Sequence, residues 1–284
     1  MPELQIINKK NPWPKGWGRK TSIMGVINLT PDSFSDGGDL NSSKKVLDQV
    51  DQFLRNGVDI IDLGAQSTRP GAEEVGSKIE IKRLIPYLKL IRSAYPEILI
   101  SIDTFHSDVA NESLLNGADW INDVTGGRRD RRILEIVSKF NCPYVITHSR
   151  GNSKNMNELS RYENVISEVK CSLETLIKNA LKKNISRKNI ILDPGIGFSK
   201  DMNQNLEILR NLDEFKKFNL PILIGASRKR FIGEILNEIN PKQRDIGTLA
   251  ISCLCSHFNI DIVRVHNVNM NYQILKVADK IYRV

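Results

Sequence analysis

Residues 24–38 read MGVINLTPDSFSDGG. A short apolar run, Met24 to Ile27, stops at Asn28 and gives way to a loop crowded with polar residues and helix breakers. Taken alone, that composition marks an ordinary surface turn. Its weight comes from repetition. Seven more Ile- and Val-rich runs follow: DIIDLGA (59–65), ILISIDT (98–104), WINDVT (120–125), PYVITHS (143–149), IILDPG (190–195), PILIGAS (221–227) and IVRVHNV (262–268). Between them lie segments with apolar spacing near 3.6, such as KKVLDQVDQFLRNG (44–57) and NLEILRNLDEFKKF (205–218). Apolar runs alternating with helical patterns predict parallel strands joined by crossover helices. Several helices are expected to end at Gly57, Gly117, Asn141, Asn184 and Asn219, because Gly and Asn accept the left-handed turn that closes a helix.

Eight strand-then-helix units predict an α/β fold, a single-domain (β/α)8 TIM barrel over residues 21–284, with residues 1–20 as an N-terminal arm across the barrel floor. An open doubly wound sheet is the competing architecture. At 284 residues the chain has room for one such barrel, which needs roughly 250.

Composition bounds the function. The apolar share of 40% suits a globular core, and no apolar run approaches the roughly 18 residues of a membrane-spanning helix. The first twenty residues carry no secretory apolar core, so the expected location is cytoplasmic. The four cysteines, Cys142, Cys171, Cys253 and Cys255, lack CxxC spacing and read as reduced structural thiols. A net charge of +8 raises nucleic acid or small anions as partners. The basic residues are spread over helix faces, and RRDRR (128–132) has no interleaved aromatics, so nucleic acid is not expected.

Barrel enzymes work at the carboxyl ends of their strands, and polar residues collect there in this sequence. They are Asn28, Asp103 and Thr104, Asn122 and Asp123, His148, Asp193, Ser227-Arg228-Lys229, and Arg264 with His266 and Asn267. A polar group among Ile and Val costs desolvation unless it is paired, so this many on one rim points to a site. Asp103, Asn122 and Asp193 offer oxygens to a flat heterocycle bearing N–H donors, and Lys229 suits its carbonyl. Arg264 can stack on a ring or hold a phosphate. Arg69, Arg264 and His266 supply charge for a polyanion, and Asn28 with Asp36 suits Mg²⁺ held by few protein oxygens. Zinc spacing, GxGxxG, Walker and GxSxG patterns are absent, which removes support for dinucleotide binding and for a serine nucleophile.

Longer motifs then identify a family. MGVINLTPDSFSDGG (24–38) and DIIDLGAQSTRPGAEEV (59–75), followed in order by SIDT (101), INDVTGG (121), LDPGIGF (192), GASRKRFIG (225) and VRVHNV (263), resemble the dihydropteroate synthases of the pterin-binding family. The resemblance implies a transferase of folate biosynthesis that joins 6-hydroxymethyl-7,8-dihydropterin diphosphate to para-aminobenzoate, with Mg²⁺ as cofactor and a homodimer as the common assembly. By that resemblance Thr68, Asp103, Asn122, Asp193, Lys229, Arg264 and His266 would bind the pterin diphosphate, with Asn28 at the metal. Phe34, Thr68, Arg69, Pro70, Phe198 and Lys229 would frame the aminobenzoate. Asp103, Asp36, Lys229 and Arg264 would act in catalysis, and the first two loops would close over the site. The chain departs from the family pattern at Gln66, at Ser149-Arg150 and at Asn267, the last expected to alter how His266 is oriented. A methyltetrahydrofolate-binding methyltransferase domain, the nearest rival, has no use for Arg264, His266 and the Ser227–Lys229 segment as a diphosphate clamp. A silent pterin binder would not need two polar loops.

Overall fold

The computed structural model describes residues 11–29, 39–66, 71, 73–156 and 158–283. Among them all eight apolar runs become parallel strands: β1 (Ser22–Asn28), β2 (Ile60–Gly64), β3 (Leu99–Asp103), β4 (Trp120–Asp123), β5 (Tyr144–Thr147), β6 (Ile190–Asp193), β7 (Leu223–Ile224) and β8 (Ile262–Val265). They pair in the order β6-β5-β4-β3-β2-β1-β8-β7. A bridge between Leu192 and Ile222 then joins the two ends, supported by the Leu192 N–H donating to the Pro221 carbonyl at 2.8 Å. The sheet therefore closes on itself, and the open doubly wound alternative is excluded.

The helices that wrap it are α1 (Asp39–Arg55), α2 (Ser77–Ala94), α3 (Ser107–Leu115), α4 (Arg132–Phe140), α5 (Val165–Lys182), α6 (Met202–Arg210), α7 (Leu212–Lys216), α8 (Arg230–Leu236), α9 (Asp245–His257) and α10 (Val268–Tyr282). The stretch 205–218 reads as one helix in sequence but is broken at Asn211, whose φ of −120° and ψ of 37° leave the helical region. All five expected stop residues take left-handed backbone, with φ of 79° at Gly57, 94° at Gly117, 48° at Asn141, 60° at Asn184 and 50° at Asn219.

Side chains alternate between the two faces of a strand, and the core divides accordingly. One residue from each strand, Met24, Ile60, Leu99, Trp120, Val145, Ile191, Leu223 and Ile262, forms a cluster inside the barrel. Their neighbours in sequence, Ile23, Ile61, Ile100 and Ile121 among them, pack outward against the helices. Burial of each aliphatic side chain contributes about 1.5–3 kcal/mol. Gly25 faces outward on β1, where a Cβ would come within 2.7 Å of Phe53 and 2.9 Å of Val268, so α1 and α10 can both close on β1 only because no side chain stands there.

The inner cluster lies at the amino ends of the strands and is covered from below. Trp13 and Trp17 pack on it, their ring centroids 5.2 and 6.2 Å from that of Trp120. The Trp120 indole N–H donates to the Pro12 carbonyl at 2.6 Å. Residues 1–10 of the expected arm fall outside the described residues.

Candidate active site

Two residues beyond the inner apolar position, six of the eight strands turn polar on the same face. The inward series at that level includes Asp62, Ser101, Asn122, Thr147, Asp193 and Arg264, with Asp103 one inward step further along β3. These groups meet. The Arg264 Nε donates to Asp62 Oδ2 at 2.6 Å, and its NH2 donates to Asp103 Oδ2 at 2.7 Å. The Asn122 amide donates to the same Asp62 oxygen at 3.1 Å. One guanidinium thus ties β8 to β2 and β3 across the barrel. Asp62 is fully buried, and its Oδ1 has no hydrogen-bond partner among the described residues.

Burial pushes the Asp103 carboxyl upward, Arg264 opposes that, and the neighbouring Asp62 carboxylate adds to the push. For Arg264, burial alone would lower the pKa, but Asp62 and Asp103 keep it raised. Asp193 is likewise raised by burial, against the Gly195 N–H that donates to its Oδ1 at 2.7 Å. Glu80, on α2, is pushed up to about 7 by burial, while a hydrogen bond from Thr104 works downward.

Around this centre, the Lys229 Nζ stands 4.1 Å from the Phe198 ring centroid. The Ser227 hydroxyl lies 3.0 Å from Nδ1 of His266 and accepts from the His266 backbone N–H at 3.2 Å. Asn28 is half-buried at the carboxyl end of β1. A cleft beside the centre is lined by Gln66, Phe105, Val124, Ser149, Asn152 and Phe198. Phe34, Asp36, Thr68, Arg69 and Pro70 lie outside the described residues.

Several residues expected at the rim point elsewhere, because adjacent strand positions face opposite ways. Asp123 accepts from the Thr125 N–H and hydroxyl, the Gly127 N–H and the Tyr144 hydroxyl, and so shapes its own loop. His148 is fully buried against Lys200. Thr104 turns toward Glu80. Arg228 makes a two-pronged ion pair with Asp245, at 2.6 and 2.8 Å. Asn267 donates to Asp245 at 3.0 Å and caps α10 by accepting from the Met270 N–H at 3.2 Å. Three of the four arginines of the RRDRR segment have internal partners: Arg128 meets Ser149, Arg129 meets Glu74 and Arg132 meets Asp108. Conversely, Asp62, Glu80 and Lys200 escaped the sequence reading. Asp62 had a signal, since it interrupts DIIDLG at the inward period set by Ile60.

Among the described residues no three His, Cys, Asp or Glu side chains gather as a metal centre.

A closed barrel that buries an arginine among carboxylates and an amide at the carboxyl ends of its strands has the build of a (β/α)8 enzyme for a small polar molecule. Comparison with known proteins gives the family. Residues 24–266 match the family described as pterin binding enzyme. The chain is 43% identical over 267 residues to the dihydropteroate synthase of Synechocystis, covering 94% of this chain and 92% of that one. Among solved structures, dihydropteroate synthase from Clostridium difficile in the presence of pteroic acid superposes with a TM-score of 0.89 at 40% identity, covering 94% and 99% of the two chains. The Thermus thermophilus enzyme in complex with 4-aminobenzoate gives 0.81 at 34% identity, covering 93% and 96%. Some curated relatives are longer, and the chain spans 36% to 57% of their length. The chain belongs to the pterin-binding enzyme family.

Proposed function

We propose that this chain joins 6-hydroxymethyl-7,8-dihydropterin diphosphate to para-aminobenzoate, releasing diphosphate and forming 7,8-dihydropteroate, as a dihydropteroate synthase of folate biosynthesis does. The observation that carries the reading is the inward cluster of Asp62, Asp103, Asn122 and Arg264, one member on each of four strands. In it two carboxylates share one cation. Asp103, Asn122 and Asp193 accept the pterin's N–H groups, Lys229 meets its carbonyl, and Thr68 completes the pocket. Arg264 and His266 hold the diphosphate. Phe34, Thr68, Arg69, Pro70, Phe198 and Lys229 wall the aminobenzoate.

An arylamine is a weak nucleophile, so the reading places bond breaking first. The methylene–oxygen bond cleaves with both electrons leaving on the diphosphate, and a pterin cation remains. The amine lone pair then forms the new C–N bond, and one N–H proton departs. The carboxylates of Asp62, Asp103 and Asp193 outnumber the two cations that face them, Arg264 and Lys229, which favours positive charge on the ring as it develops. Asp36 would add to that field and Arg264 would meet the departing oxygens, so catalysis is electrostatics and positioning. Asn28, together with the substrate's phosphate oxygens, would hold Mg²⁺, which neutralises charge on the leaving group when bound.

The same reading includes a cytoplasmic homodimer. The four cysteines are free, as suits a reducing compartment. Ile246, Val277 and Ile281 on α9 and α10 are exposed apolar residues available to a second copy. No helix among the described residues is long and apolar enough to cross a membrane. The test is a purified sample with both substrates and Mg²⁺. With both substrates, dihydropteroate and diphosphate should accumulate in equal amounts over many turnovers, and dihydropteroate should form only when both are present; folded protein that forms neither contradicts the reading.

A further inference from the structure

Lys200 lies just beyond β6 and is 7% exposed. Its Nζ is 2.9 Å from Nδ1 of His148 and donates to the carbonyls of Gly195 at 2.9 Å and Phe198 at 3.0 Å. An ammonium has three N–H groups, and these acceptors use all three. A neutral amine would be satisfied equally: two N–H groups go to the carbonyls and the lone pair accepts from Nδ1–H of His148. In neither form is a donor left over for a ligand. His148 is itself neutral, since burial and the nearby cations Lys200, Arg128 and Arg150 push its pKa down to about 2.

Two of the three partners belong to the loop that Lys200 ends, so one side chain ties the loop's beginning to Phe198 and ties both to His148, just beyond β5. The loop runs tight against the segment that follows β5. Gly195 has φ of 74°, and a Cβ there would lie 1.8 Å from the His148 carbonyl oxygen. Ser199, at φ 50°, donates its hydroxyl to the Arg150 carbonyl at 2.5 Å. Phe198, held between these ties, presents its ring to Lys229.

We propose that Lys200 is a positioning residue for the arylamine side of the site: its Nζ holds the 194–200 loop in the shape that sets the Phe198 ring against Lys229. The inference rests on the reading above that Phe198 and Lys229 wall the aminobenzoate.

Lys200→Met keeps the stem and removes the tie. Steady-state kinetics should show KM for para-aminobenzoate raised about tenfold, with the Kd for pterin diphosphate within about threefold of wild type, because a displaced wall costs positioning rather than pterin contacts. Phe198→Ala should raise the same KM, and adding Lys200→Met to it should raise KM by less than about twofold more, since the lysine acts through that ring. A merely structural lysine would instead lower the active fraction without moving KM. If Phe198→Ala raises KM and Lys200→Met leaves it unchanged, the proposal is overturned while the wall stands. If Phe198→Ala leaves KM unchanged, the wall reading fails and takes this inference with it. Should Lys200→Met not fold, His148→Phe removes one of the three partners; a rise of a few-fold in the same KM at unchanged pterin affinity supports the proposal, and an unchanged KM overturns it.

Discussion

In the proposed reaction Asp103 carries the most chemistry of any single residue. Its carboxylate is held by Arg264 at 2.7 Å, and burial works against its charge while that guanidinium favours it, so the charge the proposed reaction needs depends on Arg264. Asp103→Asn keeps the shape and removes the charge. Single-turnover measurements should show the chemical step slowed by about 100-fold, in the range for losing one preorganised electrostatic group, with pterin affinity changed far less. An unchanged rate would contradict the role in stabilising the cation. Glu80 makes a separate prediction about stability. Its pKa is raised by burial from 4.5 to about 7, so the folded protein keeps a proton that the unfolded chain gives up above 4.5. Its contribution is therefore present below pH 4.5 and lost as pH rises through 7. Glu80→Gln should flatten the fall in stability between pH 5 and 8 by about 2–3 kcal/mol, read from urea midpoints. Parallel curves for variant and wild type would contradict the buried, protonated acid.

At the scale of elements, the barrel uses one device three times. Asp59, Asp119 and Asp261 each stand at the entrance of a strand and accept the backbone N–H of a neighbouring segment: Ile23 at 2.9 Å, Ile100 at 2.8 Å and Ile222 at 2.8 Å. Asp119 also pairs with Arg92 at 2.6 Å. These carboxylates pin the register at the floor, so that the inward positions line up at the mouth. Asp119→Ala would leave the Ile100 N–H and the guanidinium without that partner and should cost about 2–3 kcal/mol in urea unfolding; a loss under 0.5 kcal/mol, the usual size for a surface change, would contradict the brace. The same scale explains what the sequence made legible. All eight strands stood out because fully buried strands read as unbroken apolar runs, and the helix ends stood out because Asn and Gly tolerate left-handed backbone. The facing of rim residues was harder. Asp123 and His148 were read as rim groups from their place at strand ends, yet each is one step out of phase with the inward series of Trp120–Asn122 and Val145–Thr147. Strict alternation would have excluded both and admitted Asp62. Lys200 had no local signal at all, since its partners are His148, 52 residues away, and backbone carbonyls that any loop carries.

Over the whole molecule, apolar packing and chemistry are stacked along one axis. Trp13, Trp17 and the eight inner apolar residues close the floor, and the carboxylates, amide and guanidinium occupy the layer above, where the loops converge. This separation lets the lower barrel supply rigidity to groups whose burial would otherwise be costly. The surface groove between α5 and the α6–α7 pair, lined by Lys170, Cys171, Glu174, Glu207 and Glu214, shares none of those groups. The central claim is that the upper layer receives the bicyclic ring while its diphosphate tail meets the cations. A crystal structure of the chain with Mg²⁺ and a non-reactive pterin diphosphate analogue tests it most directly. The account predicts the ring within hydrogen-bond distance of Asp103, Asn122 and Asp193, with the diphosphate at Asn28 and His266; a ring seated in the groove beside α5, or a mouth left empty at saturating analogue, would contradict it.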